Sequence, residues 1–189
     1  MGKVKCINMA DHNCCLAVDG CIELTGGVPE RVRNLSMFLS EDSAVTGAND
    51  RLFFDLVRAS QMGNIILGSM PMEPKSDGGK RTAEGASVRA KLSEAKQLGL
   101  ETRYVYRITQ VANLGQGRQI VRVKNCSGPK PIQWVGAWNP DDTRWTNVPD
   151  DIRKELDSET FHDGGFWMSY GDFLKYFQAI DICHIRSGH

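Results

Sequence analysis

Residues 133–185 read QWVGAWNPDDTRWTNVPDDIRKELDSETFHDGGFWMSYGDFLKYFQAIDICHI and carry all four tryptophans of the 189-residue chain: Trp134, Trp138, Trp145 and Trp167. Such a run of large aromatics is core material, each ring buried and each indole N–H placed on a partner. A ligand platform is the sharper alternative. Within the stretch, Pro149 and the carboxylates of Asp150 and Asp151 open a short helix over 149–156, where the positive end of the helix dipole favours them. Residues 166–169 read as a strand or turn. Residues 171–177 form a helix with Phe173, Leu174 and Phe177 on one face, and 179–184 return to a sheet.

Working back towards the N-terminus, YVYRITQV (104–111) and QIVRVK (119–124) are joined by the glycine-bearing ANLGQGR and predict an antiparallel hairpin. Residues 71–97 are polar and charged. Their first part is expected to be a mobile loop, and 87–97 a weak surface helix. NIILGSM (64–70) reads as a buried strand. ANDRLFFDLVRASQM (48–62) has the apolar spacing of an amphipathic helix stopped by Gly63. Residues 29–39 suit a short helix or loop. Residues 1–29 show no sustained helical period and predict turns and short extended pieces.

The size suits one α+β domain with a core of its own. Charge is balanced, with 23 basic and 23 acidic residues, so no basic field points to nucleic acid. The apolar runs fall far short of the roughly 20 residues that span a membrane, and no transmembrane segment is expected. Of six cysteines, Cys6, Cys14, Cys15 and Cys21 lie early in the chain with His12 nearby. Their spacing matches no common zinc motif. Free thiols in a reducing, cytoplasmic setting is the reading adopted, with a metal site as the alternative.

The pattern W-x-G-x-W (Trp134, Gly136, Trp138), an acidic helix, and D-G-x-F-W-M-S-x-x-D-F (163–173) resemble the end of the calpain protease core. Calpains are calcium-dependent cysteine proteases. Earlier segments resemble the same family more loosely: IELTGGVPE (22–30), NIILGSM (64–70), GLETRYVYRIT (99–109) and IVRVKN (120–125). The resemblance implies a papain-like second subdomain, with an antiparallel sheet or half-barrel flanked by helices, spanning 1–189 with an insert at 71–97. The first subdomain, which bears the nucleophilic Cys in this family, is missing.

A papain-type protease needs a thiolate, an imidazole and a group that orients the imidazole. Aligned without gaps, Tyr104 stands where the family has its His. With a pKa near 10, a phenol cannot act as the base at neutral pH. Asn125 matches the catalytic Asn, but Cys126 and Ser127 replace the Pro and the shielding Trp that follow it. The resemblance also implies a calcium loop, here degenerate. Gln133 and Pro140 replace two carboxylates, Asp163 is kept, Gly165 replaces a further acid, and Asp141 and the His162 carbonyl are the remaining candidate ligands. Calcium is therefore expected to bind weakly if it binds. The Asn125, Asp141, Asp142 and Asp163 side chains could equally be turn, solvated loop or capping groups.

Two functions follow from the resemblance. One is a proteolytically inactive, calpain-like binding or regulatory module. The other is the second half of a calcium-dependent cysteine endopeptidase, with a non-catalytic calcium sensor as a variant. Either way, the cleft face should meet a protein partner or the missing first subdomain.

Overall fold

The computed structural model describes residues 17–40, 42–72, 82–102, 104–125, 133–156 and 164–185. Six strands form one antiparallel sheet: β1 (Val28–Arg33), β2 (Ile65–Ser69), β3 (Val105–Asn113), β4 (Gln119–Asn125), β5 (Gly165–Ser169) and β6 (Ala179–His184). Their spatial order is β1-β6-β2-β3-β4-β5. Five helices accompany them: α1 (Ala17–Thr25), α2 (Ser43–Gln61), α3 (Ala83–Gln97), α4 (Asp150–Glu155) and α5 (Tyr170–Tyr176). Two 3-10 turns lie at Leu35–Leu39 and Thr143–Asn147. The expected α+β class with an antiparallel sheet is what forms.

Alternation along the strands divides the sheet into two faces. Ile66, Ile108, Val123 and Phe166 line up across β2, β3, β4 and β5. They join Phe53, Leu56, Phe173 and Phe177 in the main cluster. Helix α2 supplies Leu52, Phe53, Leu56 and Ala59 from one stripe, all nearly inaccessible. Each of its larger side chains contributes about 1.5–3 kcal/mol by leaving water. The opposite face is covered in two places. Helix α1 lies over β1, β2 and β6, with Cys21 against Leu67, Val105 and Cys183. Trp138, Trp145, Val148 and Trp167 pack over Ile120 at the β4 side.

The tryptophans are core residues, as expected, but they serve two cores. Trp134 stacks on Phe166 in the main cluster, while the other three form the second. Trp134 Nε1 donates to the Ala137 carbonyl at 2.8 Å and Trp145 Nε1 to that of Asn139 at 2.9 Å. Trp167 departs from the expectation: its Nε1 is buried and has no partner among the described residues.

Several boundaries differ from the sequence expectation. Residues 17–25 are helical, where turns were expected. Nine residues with Gly20 among them are too few to display a period, and packing on the sheet supplies the stability instead. Residues 28–33 form an edge strand, where a helix or loop was expected, because β6 offers a ladder to pair with. The second half of that region, Leu35–Leu39, is the helical part. Helix α3 begins at Ala83, capped by the Thr82 hydroxyl that accepts from the Gly85 N–H at 3.1 Å, and it buries Leu92 and Ala95 instead of lying free on the surface. The loop expected at the start of 71–97 falls mostly outside the described residues. Cys21 and Cys183 are buried thiols, and the other four cysteines also lie outside them.

Candidate functional site

The β3–β4 hairpin places the two residues that the resemblance sets at catalytic positions, Tyr104 and Asn125. Its ladder runs from Asn113 opposite Gln119 to Tyr106 opposite Asn125, with an irregularity between Ile108 and Gln110. Tyr104 precedes the strand by one residue and Tyr106 by two. The period of two therefore puts Tyr104 on the same side as the Tyr106–Asn125 pair, diagonal to Asn125. Tyr104 is half-buried and packs against the main cluster. Asn125 is also half-buried. Neighbouring Tyr106 is fully buried, and its hydroxyl accepts from the Glu101 N–H at 2.8 Å and donates to the Glu101 carbonyl at 3.1 Å. Burial, only partly offset by the Glu101 backbone, pushes the Tyr106 phenol well above its ordinary range.

No imidazole takes the place of Tyr104 among the described residues. His184 is the one described histidine. It ends β6 at the Ile65 end of β2, whereas Val105 pairs with Ser69 at the other end of that strand. His184 is engaged there by Glu30 Oε2 at 3.0 Å and Asn64 Nδ2 at 3.2 Å. Tyr104 and Asn125 thus lie at the same end of the hairpin, and the one described histidine is at the opposite end of β2.

The acidic loop after Trp138 is held by the chain's own groups. Asp142 Oδ2 accepts from the Trp138 N–H and from Arg144 Nη1, both at 2.6 Å, and Oδ1 accepts from the Arg144 N–H at 2.9 Å. The side chain is only 7 % exposed. Burial works against ionisation, but the two backbone N–H groups and the guanidinium outweigh it and hold the carboxyl below the usual carboxylate range. The same bonds fix Trp138 at φ +66°, a left-handed conformation that costs an L-residue about 1–2 kcal/mol.

Asp141 is exposed, its own N–H turned to Asn139 Oδ1 at 2.9 Å. The other candidate calcium ligands, Asp163 and His162, lie outside the described residues. No group of three or more His, Cys, Asp or Glu side chains is placed to hold a metal among the described residues. The described donor set does not fit a divalent cation, because its one enclosed carboxylate is already neutralised by Arg144. The capping alternative holds for Asp142, whose side chain caps the 3-10 turn at Thr143–Asn147.

No helix among the described residues is long and apolar enough to cross a membrane. The model of the calpain family cysteine proteases matches residues 8–184. The calpain-2 catalytic subunit of Bos taurus is 26% identical over 173 residues, covering 89% of this chain and 22% of that protein. Calpain clp-1 of Caenorhabditis elegans is 26% identical over 163 residues, 85% of this chain and 19% of its own. The calpain-1 catalytic subunit of Gallus gallus is 37% identical over a shorter 71 residues, 38% of this chain and 10% of that one. The chain spans about a fifth of the length of the first two relatives. With nearly its whole length matched by one family model and its sheet, hairpin and tryptophan loop in place, the chain belongs to the calpain family of cysteine proteases.

Proposed function

We propose that this chain is a calpain-like domain without peptidase activity, acting through protein contacts. The observation that carries the reading is Tyr104, at the position where the resemblance places the imidazole, two residues before the Tyr106 that pairs with Asn125 on the hairpin. An orienting amide with no base to orient leaves a thiolate without its proton acceptor. A cytoplasmic, reducing setting agrees with buried Cys21 and Cys183. The partner of the cleft end is a protein surface, in the simplest case a first protease subdomain.

The test is hydrolysis of a fluorogenic peptide by the purified chain, alone and with an intact calpain first subdomain supplied in trans. The Tyr104→His chain serves as positive control. Turnover in the control and none in the wild type supports the reading. Equal turnover by both would establish the second reading, half of a working endopeptidase, which retained Asn125 favours.

The same reading extends to calcium. With Arg144 already on Asp142, the loop needs no divalent ion to keep its shape. A thermal melt across a calcium titration, with magnesium as control, should give one unchanged midpoint. Saturable stabilisation specific to calcium would instead make the domain a calcium sensor.

A further inference from the structure

Away from the Tyr104–Asn125 end, a cleft of about 340 Å³ opens between the tip of the β3–β4 hairpin, the Trp138 loop and the start of α5. Its volume is at the low end for small-molecule sites. Two guanidiniums line it, Arg118 and Arg144, together with Gln119, Asn147, Ser169 and Trp138. No acidic side chain lines it.

Arg118 is held in an unusual way. Its Nε donates to the Gly115 carbonyl at 3.2 Å, Nη1 to that of Asn147 at 3.1 Å, and Nη2 to that of Leu114 at 2.9 Å. It makes no ion pair with any described carboxylate. Carbonyls fix its orientation without cancelling its charge, and two of its five N–H groups remain to donate. The same bonds occupy three acceptors that would otherwise repel an anion. Arg144 is 57 % exposed, and its ionic partner among the described residues is Asp142. The other nearby carboxylate, Asp172, accepts from the Ser169 hydroxyl, which in turn accepts from the Asp172 N–H, and it meets neither arginine.

We propose that this cleft binds a phosphate monoester, with Arg118 as a pre-oriented cation and Arg144 as the second, movable one. Planar N–H forks match phosphate oxygens, and a fixed fork loses little freedom when it binds.

The full chain is titrated with phenyl phosphate at constant ionic strength, followed by tryptophan fluorescence and by the thermal midpoint, with benzoate and chloride as parallel arms. Saturable binding of phenyl phosphate is expected, with benzoate clearly weaker. Arg118→Lys should weaken it about tenfold, as should Arg144→Ala, which also removes the partner of Asp142, each through loss of one charge-assisted bond set. A response no different from chloride overturns the proposal. So does equal affinity in both variants, and benzoate matching phenyl phosphate overturns the phosphate assignment.

Discussion

Arg31 and Asp181 face each other directly across the β1–β6 ladder, and their side chains close a two-pronged ion pair, with Nε on Oδ1 and Nη2 on Oδ2 at 2.7 Å. Asp181 is 2 % exposed and Arg31 20 %. A carboxylate this deep is tolerated because the guanidinium arrives in the matching geometry. The pair ties the outer strand to the interior of the sheet.

Asp181→Ala strands the arginine and should destabilise the domain by about 3–5 kcal/mol, read as a fall in the urea midpoint. The double variant Arg31→Met, Asp181→Leu should lose much less than the sum of the single changes, because neither partner is left alone. Additive losses would mean the two side chains act independently.

Asp142→Asn should cost about 1–2 kcal/mol at pH 6, through weakened bonds to Trp138 and Arg144. The folded carboxyl sits below its unfolded value near 3.9. Its contribution is therefore complete above that value and is lost as pH falls through it towards the folded one. The gap between wild type and variant should close below about pH 4. A gap that persists in acid would show that charge on Asp142 is not what matters.

How much of this was legible beforehand varies by element. The 104–124 hairpin and the 171–177 helix announced themselves through glycines at the turn and aromatics on one face. Strand β1 did not announce itself, since VPERVR has neither alternation nor a β-rich composition and becomes a strand only because β6 lies beside it. The Arg31–Asp181 pair joins residues 150 apart, a separation that no local pattern encodes. At the acidic loop, counting carboxylates left metal ligands and capping groups both open. Which cation a carboxylate meets depends on how the loop turns, and here Trp138 in a left-handed conformation turns it onto Arg144.

Gly99→Ala should destabilise by about 2–4 kcal/mol. The backbone there has φ +93°, and an added Cβ would lie 2.2 Å from the Gln133 carbonyl oxygen. Since Val135 N–H also donates to the Leu98 carbonyl at 3.1 Å, this contact seats the tryptophan segment. The near-ultraviolet circular dichroism of Trp134 should change along with stability. A silent substitution would mean that the segment can shift to make room.

Tyr106→Phe should cost about 1–2 kcal/mol, since the Glu101 N–H and carbonyl both lose a buried partner. Tyr104→His, on a half-buried neighbour, should change stability by less than about 1 kcal/mol, so a catalytic control built on it remains folded. Thermal melts of the two variants check both expectations. A large loss in Tyr104→His would make Tyr104 a packing residue first.

The outer strand β1 has a further consequence. Its six residues include Pro29, which offers no N–H, and the charged Glu30, Arg31 and Arg33. A border of that make-up discourages a second chain from adding itself to the sheet by backbone pairing. A peptide offered as an extra strand should therefore find no foothold at that rim.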